Sequence, residues 1–533
     1  LLVTAHFGHP TSSVRALSTL AGMNVPFELG MSMVLGFDST LLAAVDLSKP
    51  VDMVITGTPE ERDVTVAFFP QAPASLRSTL STRFRFTTVE GVGDRLDLRT
   101  QGREQAWRCA IVGAPGEISS RVVCSTREQS LATSARWVAL VSSQRATETD
   151  DGVFEVDGGS ARSSMAPYFR RVLEQGSAML GASAQQAREQ HTTAPDLGDP
   201  EPLITRARQL STQVDAMFVD LRRVVVKLTV ESNALVVDAT GELNATGSST
   251  IAQGTTRAMA MPTTHALTGR LAPDAPIAAG WRTPADSLRA HMQTLVRTAF
   301  DVLGSRVPNA ESAQPEMDAL FAHVGDEVAV AFSRAPVPPA RPARAGQPAA
   351  EPALGAWEFT ALASQDDQGA AVTALLPQLA RAPWLRGMRI GTVAPTITTA
   401  RNALFVRLPP RPEPIAQPGL NERATPSRTT TTSDVGLAVS NGQLAVLFSS
   451  NARDLLRRLD ARTAGPAPNV LGAASEGPMV VGVDARALRG EAPPALVRLS
   501  WGGSREGDVL SSRFRISLSD QVLRMLRSAR REE

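Results

Sequence analysis

Six histidines, two cysteines and scattered carboxylates are the groups in this 533-residue chain whose chemistry suits catalysis or metal binding. Only His6 and His9, in the phrase HFGH, lie close enough to act as a metal pair, and no further ligands accompany them. His191, His265 and His291 are solitary in sequence. His323 precedes Asp326 and Glu327 where an apolar strand begins, and a histidine beside a carboxylate has the make-up of a general base. No motif sets a nucleophile next to it, so a polar residue at a strand edge is the plainer reading. The stretch TETDDGVFEVDGG gathers Glu148, Asp150, Asp151, Glu155 and Asp157 among glycines. Such oxygen ligands suit calcium, but the spacing departs from an EF-hand loop, and an acidic turn accounts for it. The chain has no GxxxxGK[ST] phosphate loop, no HExxH, no GxSxG elbow and no GxGxxG between strand and helix. The sequence therefore assigns no catalytic residue, no cofactor and no metal site.

Cys109 and Cys124 belong to one expected hairpin, WRCAIVGAPGEISSRVVC, whose GAPGE centre is turn chemistry. Facing residues of an antiparallel pair have Cα atoms ~4.5–5.5 Å apart, within reach of a disulfide. Two states stay open: a bridge worth about 3 kcal/mol, or two small buried thiols. A bridge implies an oxidising compartment. Spacing and number exclude a CxxC redox pair and a cysteine zinc site.

The elements that must position these groups occur twice. VDMVITG and DVTVAFFP, a short helix at Leu76–Leu80, FRFTTVEGV with DRLDLR, and WRCAIV with RVVCS form the first series. DEVAVAFS and WEFTALAS, AAVTALLPQLA, RIGTVAP with NALFVRLPP, and DVGLAVSNGQLAVLFSS form the second, and each series closes on a long two-stranded ribbon. Self-similarity at this scale predicts an internal duplication. The expected modules are 1–269, lacking its opening, and 270–533, carrying proline-rich insertions at 335–355 and 409–434. Residues 181–202 read as a further loop. Consecutive strands on short turns predict mostly antiparallel sheet, with helices packed on one face, which is an α+β fold built from enlarged ferredoxin-like elements. The helix TPADSLRAHMQTLVRTAFDVLG carries Thr283 as N-cap, Pro284 at its first position and an apolar stripe of Leu288, Met292, Leu295, Ala299 and Leu303. A second, near 204–221, aligns Leu210, Val214, Met217 and Leu221.

Composition narrows the function classes. Lys and Arg total 54 and Asp and Glu 53, a balance unlike the basic excess of a nucleic-acid binder. All the basic residues but Lys49 and Lys227 are arginine, spread along the whole chain as a GC-rich coding bias would leave them. No stretch approaches the ~20 apolar residues that cross a bilayer, so the chain reads as soluble. It begins at Leu1, which leaves room for a removed signal peptide or lipid anchor. The tail QVLRMLRSARREE reads as a helix end whose arginines complement the macrodipole, or as an amphipathic contact for anionic lipid.

The phrase RLAPDAPIAAGW (Arg270–Trp281), with Leu271, Pro273, Asp274 and Pro276, followed by a helix and then by LFAHVGDEVAVAFS, in which Gly325 stands before the apolar strand, resembles the repeat opening of uncharacterised, mostly exported bacterial proteins. LLAAVDLSKPVDMVI and RVVCSTREQSLATSARWV are similar to proteins of myxobacterial type. The resemblance implies a periplasmic or cell-envelope location and no catalytic residue. Two functional readings follow. One is a non-catalytic envelope protein that binds or scaffolds through the surface or cleft between two lobes, with a carrier of an apolar ligand as its variant. The other is an exported hydrolase with an inter-lobe site.

Overall fold

The computed structural model describes residues 3–22, 37, 39–58, 61–90, 92–98, 107–113, 120–135, 151–189, 201–303, 310–336, 355–388, 393–408, 433–472 and 477–532. Most of both proline-rich insertions lies outside these residues.

The strands of the first half are β1 (Val3–Phe7), β2 (Val51–Gly57), β3 (Arg62–Phe68), β4 (Phe84–Val89), β5 (Gly93–Leu98), β6 (Arg108–Val112), β7 (Arg121–Ser125), β8 (Gly152–Asp157), β9 (Leu221–Val230) and β10 (Ala234–Asn244). Those of the second are β11 (Ile277–Arg282), β12 (Val324–Arg334), β13 (Trp357–Gln365), β14 (Thr396–Ala400), β15 (Ala403–Leu408), β16 (Ser433–Ser440), β17 (Gln443–Ser449), β18 (Met479–Asp484), β19 (Leu496–Glu506) and β20 (Val509–Ser519). All twenty join one sheet, and every pairing is antiparallel.

From edge to edge the order is β4-β5-β6-β7-β3-β2-β1-β8-β9-β10, then β20-β19-β18-β11-β12-β13-β17-β16-β15-β14. Counted within its own half, each side runs fourth, fifth, sixth, seventh, third, second, first, eighth, ninth, tenth from edge to centre. The halves meet along β10 and β20, paired without a break from Ala234↔Ser519 to Asn244↔Val509. Arg513 Nη2 and Asp238 Oδ1, 2.9 Å apart, clamp this seam, and Arg222 Nη2 reaches Asp508 Oδ2 across its end at 2.6 Å. The surface between the halves is thus a hydrogen-bonded ladder.

The principal helices are α1 (Pro10–Leu20), α2 (Ser39–Ala44), α3 (Leu76–Ser81), α4 (Ala166–Glu189), α5 (Glu201–Asp220), α6 (Thr250–Met259), α7 (Ala285–Leu303), α8 (Ala310–Phe321), α9 (Ala370–Leu379), α10 (Pro383–Gly387), α11 (Ala452–Asp460) and α12 (Asp520–Glu532). They cover both faces of the sheet, not one as the sequence suggests. In β16 and β17, Ala438, Ala445 and Leu447 pack with Leu455, Leu456 and Leu459 of α11, whereas Val439 and Leu444 pack with Leu288, Leu376 and Leu385 of α7, α9 and α10. Neighbouring strand residues point to opposite faces, so near-continuous apolar runs such as QLAVLF feed two cores at once. α11 forms where Asn451 accepts the Asp454 amide as N-cap, with Asp454 in the first turn and Arg457 and Arg458 in the last.

Three local expectations shift. The stripe of α7 that packs on the core is Leu288, Met292 and Val296, and Leu295 is 66% exposed. α4 continues through 181–189, a run of alanine, glutamine, arginine and glutamate with good helix propensity where a loop was expected; residues 190–200 lie outside the described part. In α12, Arg524 Nε donates to Leu20 O at 3.2 Å, and Arg527 donates to Ala21 O and Gly22 O. These arginines therefore cap the C-terminus of α1, a different helix from the one that carries them.

Candidate functional site

β1 lies between β2 and β8 in the sheet interior, so HFGH is no frayed end. His6 is fully buried, and its Nδ1 is 2.8 Å from Oδ1 of Asp52, the residue facing it on β2. Its Nε2 meets no hydrogen-bond partner among the described residues. His9 sits just before α1, on the surface, and does not join it. Arg121 is also buried, its guanidinium 3.1 Å from the Phe69 ring centroid. Burial lowers the Arg121 pKa to about 10, and the charge of Asp52 opposes that shift.

His323 pairs with other carboxylates than those adjacent in sequence. Its Nδ1 lies 3.0 Å from Asp366 Oδ1 and 4.0 Å from Asp367 Oδ2. Their ligand atoms fall within 4.8 Å of one another, but Arg289 already holds Asp366 at 2.8 Å, and Asp367 accepts the amides of Gly369 and Ala371. These are the bonds of a helix N-terminus, and the trio carries no metal assignment. Asp326 and Glu327 turn instead to Arg282, at 3.0 and 3.8 Å. In the acidic stretch, Asp151 accepts the amide of Val230, Glu155 pairs with Arg223, and Asp157 caps the Ser160 amide, all structural tasks around β8. His191, Glu148 and Asp150 lie outside the described residues.

Cys109 and Cys124 face each other on β6 and β7 and are joined by a disulfide, so the thiol alternative falls away.

His265 and Glu327 show how the segment preceding β11 is fastened. His265 Nε2 donates to Gly477 O at 2.8 Å, while Nδ1 is pressed against Gly280, where a Cβ would approach it to 2.8 Å. The Leu267 amide donates to Glu327 Oε1 at 2.7 Å. Burial lowers the His265 pKa, the Gly477 bond partly restores it, and Arg282 lowers it again. Burial raises that of Glu327, against the Leu267 amide and Arg282. A histidine that resists protonation when folded loses stabilising effect as pH falls below its unfolded value of about 6.5, because only the unfolded chain takes up the proton. Glu327 works the other way, since the folded chain binds its proton first and gains on acidification. Between pH 7 and 5.5, H265Q is therefore expected to lose less stability than the unaltered chain in urea denaturation. Equal losses would remove His265 as the source.

An apolar concavity lies on the seam. It is a cavity of about 280 Å³ lined by Val156 and Val224 of β8 and β9, Ala239, Gly241 and Leu243 of β10, Ser512 and Phe514 of β20, and a roof of Ala161, Met165, Met217, Phe218, Leu221 and Ile251. No ionisable side chain enters the lining, and Ser512 Oγ is occupied by Trp501 Nε1 at 2.9 Å. Both halves contribute walls. On the same face the ladder row Val226, Ala239, Phe514, Trp501 is followed by Leu228, Val237, Ile516, Leu499, all half-buried or exposed, so an apolar track leads out of the cavity along the sheet. A second apolar cavity, of about 260 Å³, lies under α1 between Phe7, Val14, Met53 and Phe68.

No family model matches this chain. No characterised protein matches it in sequence. Among solved structures it is similar to TP0453 in crystal form I (9% identity, 45% of this chain and 74% of that one, TM-score 0.21), form IV (8%, 45% and 76%, 0.22) and form III (12%, 49% and 97%, 0.21).

Sequence reading could not find the cavity, because its residues run from Val156 to Phe514 and meet only through the seam. One local signal existed. In VVDATGELN, Ala239 and Gly241 are the small residues of an otherwise bulky strand, and they leave the space that the cavity occupies.

Proposed function

We propose that this is a non-catalytic cell-envelope binding protein, built from two copies of one α+β module, that holds an apolar ligand at the surface where the copies meet. The cavity astride the β10–β20 seam carries this reading, because its walls come from both halves and hold no titratable group. Apolar walls with an exit along an apolar track suit a chain-like or ring-like hydrocarbon moiety, whose burial contributes about 0.8 kcal/mol per methylene. The matching strand order of the halves supports the duplication, with modules 1–269 and 270–533. The disulfide supports export to the periplasm or outer envelope, since such bonds persist in oxidising compartments. Among the described residues no helix is long and apolar enough to cross a membrane.

The exported-hydrolase reading has one observation in its favour, the His6–Asp52 pair at 2.8 Å. That pair lies on β1 and β2, contributes nothing to the seam cavity, and has no access to solvent.

The test is ligand occupancy. Native mass spectrometry of gently extracted protein is expected to show a bound apolar species. Gly241→Ala is expected to be silent, because a Cβ there meets only ordinary contacts at 4.0 Å. Gly241→Phe puts a ring into the cavity; displacing about three or four methylenes of ligand removes on the order of 100-fold in affinity for a fluorescent fatty acid. Unchanged affinity in a folded G241F chain would place the ligand elsewhere or remove it.

A further inference from the structure

The cavity under α1 has no part in the seam site, yet the two lie on one face of the sheet and meet at neighbouring strands. β8 supplies Val156 to the seam cavity, β1 supplies Phe7 to the cavity under α1, and β1 pairs with β8. The next same-face residue of β8 is Phe154, which stands opposite Ala5 of β1 and Val226 of β9. Its ring meets that of Phe7 edge to face, with centroids 5.5 Å apart and planes at 89°. Phe7 in turn lies over Gly152, where a Cβ would come within 3.3 Å of its ring. An aromatic pair therefore separates the two cavities, and Phe7, Phe154 and Val226 are all half-buried rather than sealed in the core. The linings match in chemistry. Neither holds an ionisable side chain, and their hydroxyls are engaged, Ser512 with Trp501 and Ser13 with Asp151 and His9 O. At about 280 and 260 Å³, each is below the ~300–1,000 Å³ of ordinary ligand pockets, and together they fall within it.

We propose that the two cavities are compartments of one channel for a long unbranched hydrocarbon chain, and that the Phe7–Phe154 pair is the constriction that sets which chain lengths are held. This rests on the reading of the seam cavity as an apolar ligand site. A rigid ring system wide enough to fill either compartment does not pass an aromatic pair, whereas a flexible chain is as narrow as the side chains it must displace. Uncharged walls without a spare hydrogen-bonding group exclude a head group from both compartments. The polar end of the ligand therefore stays outside, and the ligand class is a single-chain amphiphile such as a fatty acid. β2, in one lining, and β9, in the other, are three strand spacings apart through β1 and β8, about 14 Å. A long acyl chain spans that distance and a short one does not.

Native mass spectrometry of the full chain, with competition against a fluorescent fatty acid, tests this. Octadecanoic acid is expected to bind one per chain, and decanoic acid two, one in each compartment. Val14→Phe puts a ring into the cavity under α1. It should leave a single decanoic acid bound and weaken octadecanoic acid on the order of 100-fold, from about four methylenes no longer buried. Phe154→Trp leaves both linings intact and thickens the constriction, so it should weaken octadecanoic acid and spare decanoic acid, and it keeps the channel testable if V14F does not fold. Two octadecanoic acids per chain overturn the channel. So does a folded V14F or F154W chain that holds octadecanoic acid as tightly as the parent. The seam reading survives either result as long as Gly241→Phe still displaces a decanoic acid. If neither acid binds, both fall.

Discussion

Replacing Arg458 with methionine is expected to lower stability by about 3 kcal/mol, the lower end of the range for breaking a buried ion pair. Glu358 on β13 has a side chain only 2% exposed, and Arg458 Nη2 reaches both its carboxylate oxygens, at 2.6 and 2.8 Å, from α11. Ser449 Oγ donates to the same carboxylate at 2.8 Å. Removing Arg458 leaves a buried negative charge with one hydroxyl donor and the field of Arg462, whose own pKa burial lowers and Glu358 pulls back up. Arg458 keeps 23% of its side chain in solvent, which is why the lower end applies. Its charge is secured from the other side by Asp454 at 3.0 Å. Replacing both partners, E358M with R458M, removes the unpaired charge along with the pair, and most of the lost stability should return. The double-mutant cycle by urea denaturation decides it. A loss below about 1 kcal/mol for R458M would mean that water reaches Glu358 and the pair is a surface one.

Glu358 also shows what the sequence conceals. In the strand WEFTALAS, Glu358 lies on a buried face, opposite Ser333 and under α11. The alternation was legible, but the face that α11 covers was not, because helix placement depends on packing a hundred residues downstream. The same limit produced the expectation of helices on one face. Local patterns were read well where they are self-contained. The hairpin around Cys109 and Cys124 and the two long ribbons each carry their own turn chemistry. The seam carries no such signal: Ala234 and Ser519 pair only after both ribbons exist, and both ribbons look complete as two-stranded units.

The site follows the same division. His323 has Asp326 and Glu327 as sequence neighbours, but it lies at the entry to β12, and its side chain turns towards the turn after β13, where Asp366 waits. His6 drew attention through His9 and found Asp52 instead, on an adjacent strand. Sequence proximity misdirected both because neighbours on a strand point apart while partners across a ladder point together. The buried His6–Asp52 pair is legible only once the β1–β2 register is known. The cavity needs a further step, the joining of halves, before it exists at all.

Reducing the Cys109–Cys124 bond, or replacing both cysteines with alanine, is expected to cost about 3 kcal/mol, from the greater freedom of an unfolded chain without this 15-residue link. Cys109 is 4% exposed and Cys124 0%, packed with Phe68, Leu80 and Leu96, so the bridge stands in the first half's core. In the second half, the β16–β17 ladder that occupies the same place in the strand order pairs Val435 with Phe448 and needs no covalent link. The topology therefore does not demand a disulfide. Two consequences separate a bridge that holds the fold from a bond that forms incidentally. Reduced protein should unfold at lower denaturant with the loss confined to the first half, seen as earlier hydrogen exchange in β6 and β7 than in β16 and β17. In cells, thiol labelling of fractionated full-length protein should find both cysteines blocked in an envelope fraction until reductant is added. Free labelling of both in a cytoplasmic fraction would sink the export reading, and a reduced chain as stable as the oxidised one would remove the bridge's part in holding the fold.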